Sequence, residues 1–242
     1  MTASVQPAAL GDEDGFGDHV GHGRWSQAIE DYLKRIWLLA PEGGAVQGHE
    51  LARGLDVSHA SVTGMLKRLG ELGLVSYERY RGVTLTREGR DIAVEVVRHH
   101  RLIEAYLAEI LGMPWEHVHE EAEILEHHIS PRMELLMAAQ LGHPEFDPHG
   151  HPIPAQDGSL PERAGGLRAL ASLTDGESAV VRAVRNEHRE LLSYLTEIGV
   201  RPGSLVTVAA RAPLNGPLTI MNNTGERHAI ALETASSIDV DG

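Results

Sequence analysis

Apolar residues recur at helical spacing from Ser26 to Leu141 and change to short alternating runs after residue 168. Ser26 is a suitable N-cap for a first helix, with Ile29, Leu33, Ile36, Trp37 and Leu39 on its apolar face and Pro41 at its end. A short helix from His49 to Gly54, a turn at Leu55-Asp56-Val57 and a Ser58-capped helix to Leu72 come next. Leu51, Ala52, Val57, Val62, Leu66 and Leu69 supply their mutual contacts. Two short strands then flank Arg81-Gly82, one opened by Gly73-Leu74-Val75, the other Val83-Thr84-Leu85-Thr86. The order is that of a helix-turn-helix with a β wing. A long helix is predicted over Arg87–Leu111, another over His119–His128, and a third from Arg132 to Leu141 beyond Pro131. Together these three carry more apolar surface than one protomer can bury, which predicts a homodimer.

The period changes beyond this point. His143–Leu160 is rich in Pro, His and Gly and reads as an irregular connection. Ser178–Val184, Ser204–Ala209, Leu218–Met221 and His228–Leu232 read as strands, with one helix from Glu187 to Ile198. Short strands with turn signals predict a small SH3-like barrel. The fold class expected is therefore mainly α with a small β part. Its divisions are a disordered acidic tail (1–24), a winged helix-turn-helix domain (25–95), a helical metal-binding and dimerisation domain (96–145), a Pro/Gly/His linker (146–167) and an SH3-like domain (168–242).

Composition narrows the function classes. The net charge of −14 over 242 residues argues against a protein that coats nucleic acid or membrane non-specifically. Between Ala45 and Arg90, however, basic residues slightly outnumber acidic ones, as a local DNA-reading surface requires. Ser58, His59, Ser61 and Thr63 are small or polar enough to approach base edges and phosphates, and Lys67, Arg79 and Arg81 add positive charge. A winged helix used for protein contact is the alternative. There is no cysteine, no run able to span a membrane, no secretory signal, no nucleophile elbow and no P-loop. A non-enzymatic cytoplasmic protein is expected.

Histidine is the unusual component. Nine of the fifteen lie between His99 and His151. Glu123, Glu126 and His127 are spaced i, i+3, i+4 on the predicted helix, and so share a face. His119 and Glu123 are four apart, as are His100 and Glu104. Carboxylates and imidazoles so placed suit a divalent cation; a solvated acidic helix face is the alternative. His143, His149 and His151, in the irregular connection, read as exposed positions that would take metal adventitiously.

In combination, Glu30-Asp31-Tyr32-Leu33, Ser61-Val62-Thr63, Tyr80-Arg81-Gly82, His100-Arg101-Leu102, Val118-His119-Glu120-Glu121-Ala122, Glu126-His127 and Pro152-Ile153-Pro154 resemble the motifs of the diphtheria-toxin-repressor family. The resemblance covers nearly all of the chain beyond residue 24. It implies a homodimeric, metal-dependent repressor of palindromic operator DNA with two metal sites per protomer. One would use Asp31, Glu123, Glu126 and His127, the other His100, Glu104 and His119. In three-domain members the barrel adds ligands. Here the aligned positions are His188 and Leu191, and Leu191 cannot ligate, which leaves Glu187, His188 or Glu190. Iron-responsive members have Met and Cys where Asp31 and Glu123 stand, whereas manganese-responsive members have carboxylates. The resemblance therefore implies Mn²⁺, with Fe²⁺ as the alternative metal and a metal-transfer protein as the alternative function. Lys34 stands where small manganese regulators often have a further carboxylate. Without metal, Asp31, Glu123 and Glu126 are expected to repel.

Overall fold

A computed structural model describes residues 25–78, 81–163 and 165–242. The acidic tail and Arg79 lie outside the described residues. The N-terminal unit holds α1 (Gln27–Leu39), α2 (Gly48–Gly54), α3 (His59–Glu71), β1 (Val75–Glu78) and β2 (Gly82–Leu85). Local chemistry sets these ends. Gln47 and Glu50 close a capping box on α2, and Ser58 Oγ accepts from the Ser61 N–H at 3.1 Å to open α3. Leu33, Ile36, Trp37, Leu51, Val62, Leu66 and Leu69 meet in one core with Val83 of β2. The strands pair antiparallel from Val75↔Leu85 to Glu78↔Gly82. Gly82 has φ of 102°, and a Cβ there would meet the Val46 carbonyl, so the wing turn requires glycine.

Helix α4 (Arg87–Glu109) starts from a Thr86 cap and belongs to two cores. Its first half (Ile92, Ala93, Val97) packs in the winged-helix core. Its second half (Leu102, Ile103, Leu107) packs with α5 (Val118–Leu125) and α6 (Pro131–Gln140). The division expected at 95/96 thus falls inside one continuous rod. Helix α5 stops at Leu125, short of the expected His128, and Glu126–His128 form a turn. Pro131 disfavours helical geometry at Ser130, which takes an extended conformation and caps α6. Ile110, Leu111, Ile124, Leu125, Met133, Leu135 and Leu136 remain exposed around these helices, as a dimer-forming surface would.

Residues 143–163 contain no helix, but they are no loose linker. Arg98 Nη1 donates to the Pro154 carbonyl at 2.7 Å, and Arg101 Nη1 to that of Pro152 at 2.5 Å, strapping the segment across α4. Asp147, His149 and Ile153 are buried. The expectation that His149 and His151 stand exposed is therefore wrong: His149 is fully enclosed and the His151 side chain is only 18% exposed. Side-chain contacts across the chain outweigh the local Pro/Gly composition.

The C-terminal unit comprises β3 (Leu167–Ala169), β4 (Ser178–Val184), α7 (Arg189–Glu197), β5 (Leu205–Arg211), β6 (Leu218–Met221), β7 (Arg227–Ile230), α8 (Leu232–Ser236) and β8 (Ile238–Asp241). The sheet order is β3-β8-β4-β5-β6-β7 with antiparallel pairing. Since β3 and β7 are its edges, the sheet is SH3-like but not closed. Strands β3 and β8 go beyond the four read from the sequence. β3 has only three residues, too few for alternation to stand out. Trp115 from the helical unit enters this core, its Nε1–H donating to Thr196 Oγ1 at 2.7 Å. Among the described residues no helix is long and apolar enough to cross a membrane.

Candidate metal centre

The centre lies where α1, α4 and the turn after α5 converge. The His127 ring sits between two adjacent carboxylates of α1. Its Nε2 is 3.0 Å from Asp31 Oδ1 and 3.4 Å from Glu126 Oε1, while its Nδ1 is 2.5 Å from Glu30 Oε2. Asp31, Glu126 and His127 bring one ligand atom each to within 4.8 Å of one another. Glu30 was not singled out from the sequence. Its role depends on which face of α1 meets the turn, and local spacing does not reveal that.

A second group, His100, Glu123 and Glu126, adjoins the first and shares Glu126 with it. Here the expectation of bare, repelling carboxylates fails. The Lys34 ammonium donates to Glu123 Oε1 at 2.7 Å and to Glu126 Oε1 and Oε2 at 2.9 and 2.7 Å. Burial opposes charge on Lys34, but Glu126 and Glu123 together outweigh it and raise its pKa. Glu123, also opposed by burial, is held below its usual range by Lys34 and His100.

The third group faces the C-terminal unit. His100 Nε2 is 3.0 Å from Glu104 Oε1 and 3.1 Å from His119 Nδ1, and His119 Nδ1 is 2.7 Å from Glu187 Oε2. Of the three acidic or imidazole side chains left open on the barrel side, Glu187 reaches the cluster. His188 and Glu190 are exposed. Glu187 precedes α7 rather than opening it, as the sequence reading had it. A fourth group, Glu104, Asp147 and His149, is wholly buried and was missed from sequence because the strap appeared exposed. Glu104 Oε2, Asp147 Oδ2 and His149 Nδ1 have no hydrogen-bond partner there. Buried polar atoms normally do.

Electrostatically the cluster is a chain of imidazoles set against carboxylates. Burial disfavours the cationic rings, but the carboxylates win. The pKa of His100 is raised to about 9, through Glu104 and Glu126. That of His119 rises to about 10, through Glu104 and Glu187, and that of His127 to about 10, through Asp31 and Glu30. His151 rises to about 10 between Asp147 and Glu187. Glu104 and Glu187 lie well below the usual carboxylate range despite burial, held there by the same imidazoles. The donor set is oxygen and imidazole nitrogen without sulfur. It suits hard or borderline divalent ions, and the three atoms without a hydrogen bond, two of them in ion-pair contact only, are ones that a cation or water would satisfy.

The described residues that the sequence points to for DNA contact lie on one unit. Ser58, His59, Ser61, Thr63 and Lys67 are exposed on and before α3. The Thr63 hydroxyl donates to the His59 carbonyl at 2.9 Å. Arg81 is exposed on the wing, 3.0 Å from Glu78.

Comparison with known proteins bears on all three structural units. Residues 25–83 match the iron-dependent repressor N-terminal DNA-binding domain, 86–155 the iron-dependent repressor metal-binding and dimerisation domain, and 168–241 the FeoA domain. The chain is 33% identical over 222 residues to the iron-dependent repressor IdeR of Mycobacterium tuberculosis (strain ATCC 25618 / H37Rv), covering 88% of this chain and 96% of that protein. It is 39% identical over 103 residues to the regulator MntR of Shouchella clausii, covering 43% of this chain and 71% of that protein. A solved manganese-dependent transcriptional repressor in complex with manganese superposes with a TM-score of 0.79 at 35% identity. That match covers 88% of this chain and 99% of the other.

Proposed function

This chain belongs to the diphtheria-toxin-repressor family of metal-dependent transcriptional repressors, and from that premise we propose that Mn²⁺ is its co-repressor and a palindromic operator its DNA target. The observation that carries the reading is the meeting of Asp31 on α1 with Glu126 and His127 after α5, ligand atoms within 4.8 Å. Asp31 comes from the DNA-binding unit and the other two from the turn after α5, so their approach fixes one unit against the other. A divalent ion would be held by Asp31, Glu126 and His127 and would link the two units through ligand bonds.

Asp31 and Glu126 then hold α1 at a set angle to α5. Helix α3 is carried with it, and the two α3 helices of a dimer stand at one spacing. Ser61 and Thr63 face the major groove in this reading, with Ser58, His59 and Lys67 beside them, and Arg81 and Arg79 reach phosphates. His100, Glu104 and His119, with Glu187, form a supporting site that ties in the C-terminal unit. Asp147 and His149 extend it through Glu104. The units 1–24, 25–95, 96–145, 146–167 and 168–242 are kept as functional divisions, with α4 running through the 95/96 boundary and 146–167 now a metal-side strap, in a cytoplasmic homodimer. Manganese is favoured over iron because Asp31, Glu126 and His127 offer hard oxygens and one imidazole where sulfur donors would select softer, later metals.

The test uses a duplex selected from a randomised pool on the Mn²⁺-loaded protein. Its fluorescence anisotropy is titrated with Mn²⁺ and, anaerobically, with Fe²⁺, at one salt concentration. Tight binding at lower free Mn²⁺ than Fe²⁺, lost in Asp31→Ala with fold and dimer intact, is expected. An Fe²⁺ preference would transfer the co-repressor assignment to iron. An unaltered Asp31→Ala response would remove Asp31 from the bridge.

A further inference from the structure

The inner half of the centre already contains a cation. Lys34 is 6% exposed. Its ammonium is bonded to Glu123 Oε1 and both Glu126 oxygens, and lies 3.1 Å from His100 Nδ1. These are the three residues whose ligand atoms otherwise form the second metal-competent group. We propose that Lys34 is a resident cation of the interdomain centre: it occupies the half formed by His100, Glu123 and Glu126, so the centre takes one divalent ion, in the half formed by Asp31, Glu126 and His127, rather than two. The inference rests on the metal-bridging reading above and sets its stoichiometry.

Charge and space support it. Asp31, Glu123 and Glu126 contribute three negative charges, which one divalent ion and one ammonium balance. A second divalent ion among His100, Glu123 and Glu126 would have to expel Lys34. Its ammonium would then be stranded without a partner or forced out to solvent from a buried helix face, and burying an unpaired charge is strongly unfavourable. The ammonium also holds Glu123 and Glu126 together before metal arrives. The inner half is therefore assembled in the metal-free protein, and metal has only to replace the contact between Asp31 and His127 Nε2 at 3.0 Å.

Metal content and electron paramagnetic resonance test this on the full-length dimer after Mn²⁺ loading and removal of free metal. Lys34→Glu is expected to gain one Mn²⁺ per protomer and a spin-coupled Mn–Mn signal that the parent lacks. A parent with a coupled pair abolished by Glu123→Gln, or a folded Lys34→Glu with the parent's metal content, overturns the proposal. Lys34→Gln provides the second arm. Its metal-free melting temperature should fall by several degrees, with a larger Mn²⁺-induced rise than the parent's, because two carboxylates lose their cation. An unchanged metal-free melt also overturns it. Asp31→Asn separates the two readings. If it leaves Mn²⁺ content and the DNA response at parental values, the bridging function fails, while the metal-free Lys34→Gln melt still decides whether Lys34 holds the inner half.

Discussion

Glu30 and Asp31 are neighbours on α1 that meet opposite nitrogens of one ring. Asp31 stands beside His127 Nε2, with Glu126, and Glu30 behind Nδ1 at 2.5 Å. A carboxylate behind a ligating imidazole fixes its tautomer and orientation, and losing such a partner typically costs 10–100-fold in metal affinity. Glu30→Ala should therefore weaken Mn²⁺ binding by roughly that factor, read by calorimetry. Glu30→Gln should retain most of the affinity, because its amide oxygen still accepts from Nδ1–H. Equal losses in the two would mean that charge, not orientation, is what Glu30 supplies. Glu126 differs again, because it belongs to both the outer and the inner group. Glu126→Ala should abolish metal-stimulated DNA binding, whereas His119→Ala, at the C-terminal side of the cluster, should only weaken it. Complete loss in both would show that the groups act as one unit.

Two loops place whole elements. The strap turns at Gly150, whose φ is 88° and where a Cβ would strike the Arg182 backbone. Gly150→Ala combines an unfavourable conformation with that collision, so it should destabilise by more than about 1 kcal/mol. The strap carrying Asp147, His149 and His151 should loosen first, visible as faster amide exchange over 145–154 than in α3. The wing behaves in the opposite way. Arg81 is 82% exposed and its one described ionic partner is Glu78. Arg81→Ala should leave the melting temperature nearly unchanged. It should weaken binding to every duplex and reduce the salt slope by about 0.9 if one phosphate contact is lost. An unaltered slope would remove Arg81 from the DNA surface.

Across the molecule, the raised histidine pKa values couple metal, pH and stability. His100, at about 9, and His119, His127 and His151, at about 10, are protonated at neutral pH in the metal-free fold. Their folded values exceed the ordinary 6.5, so the stability they contribute is complete below about pH 6.5 and is lost as pH rises towards 9 to 10. Metal needs the ligating rings unprotonated. The metal-free melting temperature should therefore fall between pH 6.5 and 9, while its rise on adding Mn²⁺ should grow over the same range. Calorimetry in buffers of different ionisation enthalpy should show proton release on Mn²⁺ uptake at neutral pH. Absence of release would mean that His100, His119 and His127 are not the titrating ligands.

What the sequence by itself determined is local. The Ser58 cap, the turn at Leu55-Asp56-Val57 and the apolar spacing of α1, α3 and α4 depend on residues within a few positions of one another. The winged helix and the long helix are therefore legible from composition and period. The four-residue spacing of His100 and Glu104 is local in the same way and points to a shared face of α4. Glu30 and Lys34 could not be read so. Their partners lie 97 positions away at His127, and 89 and 92 positions away at Glu123 and Glu126, and nothing in α1 records them. Nor could the strap. Pro, Gly and His at 143–160 describe an irregular connection until Arg98 and Arg101 tie it across α4, with Asp147 and His149 buried. Tertiary structure alone decided which charges meet, because an ion pair depends on distance in space, whereas caps and periodicity depend on distance along the chain.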